Sequence, residues 1–407
     1  MNQMLKKKLL AAVCSSALFL TACGGGDDGD WSFGSSNVKA YAVDADVSAI
    51  AAKHEILTYK MQSVAGKDID ATTLIFIPKG SAPSGGWPVV VWAHGTTGAA
   101  DQCAPSKNVL DGSEKDLVKA LLAKGYAVVA PDYEGLGNTS APHPYLNLES
   151  AATSILSAIK AANGQYGSLS KDWSVIGWSQ GGHAALAAAQ YQKALLGYNF
   201  KGTVAIAPAS YLADTLDEDL QTAQTKAAAA LSANDAAAFT QAIGIAATAY
   251  TYAAIVSSGI KAETPSFQYV QSFLPVKVPI AELAESICSP ELGQKFGVDI
   301  QQYMNTDYTK FFTYTALQPN FKADPVIAKY LTDNTPGTVK LDKPVVIYQG
   351  EADTTVPVNI TTDLAANMSG LQTDVQLVTF AGETHSTVFA NNIDALVSDI
   401  NDLMTDN

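Results

Sequence analysis

Gly177-Trp178-Ser179-Gln180-Gly181 sets a serine between two glycines, where a β-branched run gives way to an alanine-rich segment. A serine on a strand-to-helix turn is held out from the backbone, and the helix start points N–H groups and its positive dipole end at it. Such a turn is tight enough that side chains two positions to either side would strike neighbouring backbone, which glycine avoids. The chemistry this suits is attack on a carbonyl, but a neutral hydroxyl needs a base. Five histidines are available. His54 lies at the front of an early strand, His94 ends a buried run, His143 sits between two prolines, and His183 shares the helix that follows Ser179. His385, in Gly382-Glu383-Thr384-His385, follows the last strand-like run and can reach the serine from a separate loop. An imidazole base needs an acid to fix its tautomer. Asp353, in Gln349-Gly350-Glu351-Ala352-Asp353 beyond the run Pro344–Tyr348, fits that role; Glu351 is the second candidate and reads as a solvated loop carboxylate. The oxyanion of a tetrahedral intermediate needs donors. Gln180 N–H is one, and Thr96 N–H, with its hydroxyl at hand, is the other, from the small, glycine-rich loop His94-Gly95-Thr96-Thr97-Gly98.

Three distant loops can meet only if the intervening chain forms one sheet. Glu55–Val64 and Ala71–Lys79 read as early antiparallel strands. Pro88–His94, Tyr126–Pro131, Ser174–Gly177 and Thr203–Pro208 are apolar runs of the kind buried on both faces, and they alternate with helical Glu114–Lys124, Leu148–Ala162 and Gly181–Leu196. This alternation predicts an α/β fold, a mostly parallel sheet with helices on both faces. From 211 to 331 the chain is alanine-rich and helical in tone. Strand pattern returns at Pro344–Tyr348 and Val375–Phe380, and Thr387–Met404 reads as a final helix. The expected organisation is a core of 41–210 and 332–407 with a helical cap, 211–331, inserted over the carboxyl ends of the strands, where ligands of such sheets bind.

The chain resembles an α/β-hydrolase of the secretory lipase family, in its lipase A-like branch. The resemblance rests on WAHGTTGAADQCAPS (Trp92–Ser106), PDYEGLG (Pro131–Gly137) followed by HPYL (His143–Leu146), GWSQGGHAAL (Gly177–Leu186), and the GEADTTVP and GETH loops. The order Ser179, Asp353, His385 is the chain order of that superfamily. The resemblance implies the α/β-hydrolase fold, a large helical cap between the sixth and seventh core strands, and a lipase or esterase acting on a small-molecule or lipid ester through an acyl-enzyme. A serine peptidase or amidase on the same scaffold is the alternative, and a non-enzymatic surface protein the second; the absence of arginine leaves no guanidinium to hold a peptide terminus.

Lys6-Lys7-Lys8 followed by apolar Leu9–Ala22 reads as an export signal, too short for the ~20 residues of a membrane span. Its ending, Leu20-Thr21-Ala22-Cys23, resembles a bacterial lipoprotein signal, which implies a signal peptide over 1–22, lipidation of Cys23 and membrane attachment through that anchor; Gly24 after the cysteine implies the outer membrane. An ordinary secretory signal is the other reading. Residues 23–40 are expected to form a flexible tether. Cys103 and Cys288 then remain in an oxidising compartment and are expected to pair, the alternative being two buried thiols. All 25 basic residues are lysine against 39 acids, a formal charge of −14 that excludes a nucleic-acid partner. No spacing suits zinc and no phosphate loop is present, so neither metal nor cofactor is expected.

Overall fold

In the computed structural model, residues 37–137 and 141–405 are described. The signal segment, Cys23 and most of the tether lie outside them. Nine strands form one sheet: β1 (Asn37–Ala40), β2 (Ala51–Gln62), β3 (Asp68–Pro78), β4 (Trp87–Ala93), β5 (Ala127–Pro131), β6 (Leu169–Trp178), β7 (Asn199–Ile206), β8 (Val345–Gly350) and β9 (Val375–Phe380). Their spatial order is β1-β2-β3-β5-β4-β6-β7-β8-β9. β1, β2 and β3 pair antiparallel, as does β3 with β5; the rest, from β5 to β9, is parallel.

The central strands explain the two-sided burial. Along β4, Val89 and Val91 enter the core on one face while Val90 and Trp92 enter the core on the other, the period-2 alternation of a pleated strand. Helices α1 (Gly112–Ala123) and α9 (Ile393–Thr405) cover the second face through Leu117, Leu121, Leu396 and Ile400. Helices α2 (Leu148–Gln165), α3 (Gln180–Tyr191) and α8 (Val358–Gly370) cover the first through Ile155, Ile159, Ala185, Leu364 and Met368. α2 is capped by Asn147, whose side chain accepts from Ser150 N at 2.9 Å, satisfying one of the N–H groups a helix start leaves free.

Between β7 and β8 lies the cap: α4 (Leu212–Ala233), α5 (Ala236–Glu263), α6 (Ser289–Met304) and α7 (Pro325–Asp333), with shorter turns between them. Counted from β2, this is the gap between the sixth and seventh strands. Alanines 223, 227, 242 and 246 let α4 and α5 approach closely, and Phe239, Tyr250 and Phe296 fill the remaining space. By length and composition α5 is the one helix among the described residues that could cross a membrane, yet 67% of its most apolar window is buried inside the protein. Its apolarity therefore belongs to the cap's own core.

Three expectations need correction, and one helix had no forerunner in the sequence pattern. Residues 37–40, assigned to the tether, form β1 on β2, pairing Asn37 to Thr58 and Ala40 to Glu55. Thr387–Met404 is not one helix: a short turn at Thr387–Ala390 ends at Asn391-Asn392, and α9 starts after it. Asn392 O accepts from Leu396 N at 2.9 Å, so the second asparagine opens the new helix. Helix α8 was not foreseen at all. The cap boundary at 331 cuts α7, which continues to Asp333.

Candidate active site

Ser179 closes β6 and opens α3. Its backbone sits at φ 58°, ψ −115°, a region L residues occupy only where the surroundings impose it. Those surroundings are visible. Ser179 N–H donates to Ile206 O at 2.8 Å, and Ser179 O accepts from His183 N and Ala209 N, each at 3.1 Å. A Cβ on Gly177 would lie 2.0 Å from Gly181 O, and one on Gly181 would lie 1.8 Å from Ala93 O. Both glycines are therefore required by space. Gln180 is the first residue of α3, so its N–H has no partner within the helix and stands beside the serine.

Asp353 and His385 come from the loops after β8 and β9. Those loops are sewn together by Glu351 N to Phe380 O at 3.0 Å and Ala352 N to Glu383 O at 2.9 Å. Gly350 permits the approach, since a Cβ there would lie 2.3 Å from Glu383 O. His385 Nδ1 and Asp353 Oδ2 are 2.7 Å apart. The Asp353 side chain is fully buried. Its Oδ1 accepts from Thr355 N at 2.8 Å and Val356 N at 2.9 Å, and its Oδ2 also accepts from Gln349 Nε2 at 3.0 Å. With both oxygens occupied by donors, the carboxylate accepts from Nδ1–H, and in the neutral ring Nε2 is then the bare nitrogen. Nε2 is buried and has no hydrogen-bond partner. Trp178, the residue before Ser179, donates its indole N–H to His385 O at 2.9 Å, and its ring lies 5.1 Å from the imidazole. The imidazole is thus fastened to the serine turn through the serine's chain neighbour. Glu351 is exposed and accepts from Thr379 Oγ1, in keeping with a solvated loop carboxylate.

Ser179 opens on a narrow cavity beneath the cap, lined by Leu212, Leu216, Val256, Ile260 and Phe321 together with Asp219 and Tyr252. Among the described residues no group of histidine, cysteine or acidic side chains is placed to hold a metal ion.

Residues 90–399 match the Alpha/beta hydrolase family. The chain belongs to that family. Among curated proteins none matches this alpha/beta hydrolase. Its fold is shared with solved structures of low identity. The rice cell wall degrading esterase LipA from Xanthomonas oryzae is 20% identical over 91% of this chain and 98% of that one, with a TM-score of 0.65. A putative hydrolase from Legionella pneumophila is 17% identical, covering 92% and 98%, at 0.66. Candida antarctica lipase A is 16% identical, covering 91% and 81%, at 0.66.

Around Ser179, Asp353 and His385 lie supporting residues, of which Gln349 carried no signal in the sequence and His143 and Tyr145 were marked only by the HPYL run. Gln349 locks the acid: besides donating to Asp353 it donates to Val356 O at 2.8 Å, and its Oε1 accepts from Thr361 Oγ1 at 2.7 Å. His143 fixes the Gln180 side chain. Burial holds its imidazole down at about 4, so it is neutral; Nδ1–H donates to Glu134 O at 2.6 Å, leaving Nε2 to accept from Gln180 Nε2 at 3.0 Å. Tyr145 lines the cavity with Ser179, and its hydroxyl lies 2.7 Å from Thr96 Oγ1. The Thr96 loop is tied to the cap, where Ser289 N donates to Thr97 O at 2.9 Å and Ser289 Oγ to Thr96 O at 3.3 Å. Cys103 and Cys288 form a disulfide at the same place, with Cα atoms 5.5 Å apart. His183 packs behind the turn, donating from Nε2 to Asn334 O at 3.0 Å.

Asp132, Tyr133 and Glu134 serve the loop rather than the cavity. Asp132 accepts from Thr72 Oγ1 at 2.5 Å and Ser106 N at 2.9 Å; Tyr133 OH donates to His94 O at 3.0 Å. Glu134 is 2% exposed and takes Val64 N and Ser150 Oγ on its carboxyl. Burial pushes that carboxyl up to about 7 from an ordinary 4.5. The folded state thus holds the Glu134 proton more tightly than the unfolded chain. The contribution is full below pH 4.5 and is lost as pH rises through 7. Compared with Glu134→Gln, wild type is expected to lose about 3 kcal/mol of stability between pH 4 and 8. Urea melts of both proteins across that range check it; parallel curves would contradict it.

Proposed function

We propose that this protein is a serine carboxylic ester hydrolase of the lipase or esterase kind, acting on esters with apolar acyl chains. The observation that carries this is the Asp353–His385 hydrogen bond leaving a bare, buried Nε2 at the serine turn, beside a largely apolar cavity that Ser179 opens on. In this mechanism His385 Nε2 takes the Ser179 proton as Oγ attacks the ester carbonyl. Gln180 N–H and Thr96, the latter through its N–H and its Tyr145-linked hydroxyl, hold the oxyanion. His385 then gives the proton to the leaving alcohol, and water repeats the sequence on the acyl-enzyme. Asp353 orients the ring through Nδ1 and stabilises the imidazolium.

Two of the structural neighbours are named an esterase and a lipase, which supports the class of bond. The cavity supports an apolar chain. No arginine is available to clamp a peptide carboxylate, which weighs against a peptidase. The reading is tested by p-nitrophenyl esters from acetate to palmitate set against aminoacyl anilides of matched size. Faster turnover of esters, with fluorophosphonate labelling confined to Ser179, is expected. Preferential anilide cleavage would replace the ester reading with the amidase one.

The same proposal includes export and attachment through Cys23. A disulfide between Cys103 and Cys288 fits an oxidising compartment. Fatty-acid labelling that is lost in Cys23→Ser tests the anchor.

A further inference from the structure

The cavity beneath the cap is walled by leucine, valine, isoleucine and phenylalanine, and one of its few polar members has no role in the mechanism above. Asp219, on α4, lines this cavity with Ser179. It is only 3% exposed, and its Oδ1 has no hydrogen-bond partner. No cation stands among the charges that bear on it. The charges that bear on it are those of Asp353 and Glu218, both acidic. Glu218 is itself engaged by Asn359 Nδ2 at 2.5 Å. Tyr252, on α5, lines the same space. Two other polar side chains there are already committed. Thr215 Oγ1 donates to Ser210 O at 2.9 Å, and Ser257 Oγ lies against Ala253 O at 2.9 Å and Ser272 Oγ at 3.0 Å.

A carboxyl in this position is costly to the fold unless something meets it, because a buried polar group without a partner forfeits its hydration. An aliphatic side chain would pack the same wall with no such loss. The carboxyl is also in an unusual state. Burial, then the negative charge of Asp353 and Glu218, pushes it up to about 9, so at neutral pH it keeps its proton. A protonated carboxyl is a hydrogen-bond donor as well as an acceptor. The cavity wall therefore carries a donor fixed on a helix.

We propose that Asp219 is a specificity-determining residue of the acyl cavity. It hydrogen-bonds a neutral oxygen, carbonyl or hydroxyl, carried partway along the acyl chain, and so selects oxygenated acyl esters over plain alkanoyl esters. Carboxylated chains are rejected, since they would add a charge beside Asp353 in the same low-dielectric space. The assignment rests on the ester-hydrolase reading above and adds the substrate class to it. The donor separates the two chains because a site built to hydrogen-bond an oxygen is left unpaired by the chain that lacks it.

The test compares p-nitrophenyl octanoate with its oxo-octanoate analogues, the ketone placed at successive carbons. Wild type is expected to prefer at least one oxo ester in kcat/KM. Asp219→Leu should lower the ratio of that oxo ester to the plain ester by roughly 10- to 100-fold. Asp219→Asn, which keeps an N–H donor at the same reach, should retain most of the preference. The ratio is taken on a single preparation, so partial misfolding cancels. Should Asp219→Leu not fold, Asp219→Ala gives the same comparison. A wild-type enzyme that hydrolyses the plain ester but favours no oxo ester, or a ratio left unmoved by Asp219→Leu, overturns this assignment alone. Absence of any Ser179-dependent ester turnover overturns the hydrolase reading and this assignment with it.

Discussion

Replacing Ser179 with alanine is expected to lower kcat toward p-nitrophenyl esters by on the order of a million-fold, and Asp353→Asn by about ten-thousand-fold. The two losses differ because they have different causes in this structure. Alanine at 179 removes the attacking oxygen but leaves the turn, since the positive φ at that position is imposed by the Ile206, His183 and Ala209 hydrogen bonds and by the two flanking glycines. Asparagine at 353 removes no reacting atom. It keeps an oxygen where Thr355 N and Val356 N donate, and so turns its amide NH2 towards His385 Nδ1 and Gln349 Nε2. That NH2 then faces two other donors, the ring nitrogen's own N–H and the Gln349 amide. The imidazole escapes by moving its proton to Nε2, which is the tautomer that cannot accept from Ser179. Residual activity is expected to be larger in Asp353→Asn and to rise with pH as a weaker base is bypassed by hydroxide. Single-turnover kinetics with an activated ester separate the cases. Asp353→Asn should still form an acyl-enzyme, slowly, and Ser179→Ala none. Equal burst amplitudes in Ser179→Ala and wild type would remove Ser179 from the chemistry.

The three candidate positions were legible because each is marked by local chain geometry; the structure joins Asp353 to His385 but shows no hydrogen bond from His385 Nε2 to Ser179. Ser179 is announced by glycines that space alone demands at 177 and 181. Asp353 and His385 each follow a strand whose apolar run can be read directly. What supports them was not legible, because it is made by tertiary contact. Gln349 belongs to β8, and nothing in its neighbours in sequence shows that its amide will face Asp353 and its oxygen Thr361. His143 and Tyr145 reach the site only because the chain after β5 turns back over Gly135, where a Cβ would lie 2.3 Å from His143 N. Asp219 lay in a helical stretch whose acidic residues, Asp214, Asp217, Glu218 and Asp219, look alike in sequence; burial of one of them depends on where α4 docks.

The errors in the fold have similar origins. β1 is four residues long, too short for a period-2 pattern, and exists because β2 offers it an edge. Helix α8 carries Ile360, Leu364, Ala365 and Met368 at helical spacing, all buried, but its threonines and asparagines are weak helix formers and mask the signal. The break at Asn391-Asn392 follows from the same preference of asparagine for caps over helix interiors.

Removing the disulfide, as Cys103→Ala with Cys288→Ala, is expected to destabilise the protein by about 5 kcal/mol, from the entropy of an unfolded chain no longer closed across a 185-residue separation. It is also expected to cost activity before it costs the fold. The bond joins the end of the Thr96 loop to the residue before α6, and so fastens the core to the cap. Without it, that junction keeps the Ser289 bonds to Thr96 and Thr97, Gln102 Nε2 to Ser286 O at 2.5 Å, and the pairing of Gly98 with Cys288. These are individually worth about 1 kcal/mol. Gly98 shows how closely the segments meet: its φ is +138°, and a Cβ would lie 2.8 Å from Cys103 Sγ and 3.0 Å from Cys288 Cα. A loop loosened here displaces Thr96 relative to Ser179 and loosens the cap wall at once, so the oxyanion site and the acyl cavity should fail together. Urea melts and ester kinetics on the same variant test this. A variant whose midpoint falls while kcat/KM holds would show that the bond only restrains the unfolded chain, and a loss of stability under 1 kcal/mol would show that the junction stands on its hydrogen bonds.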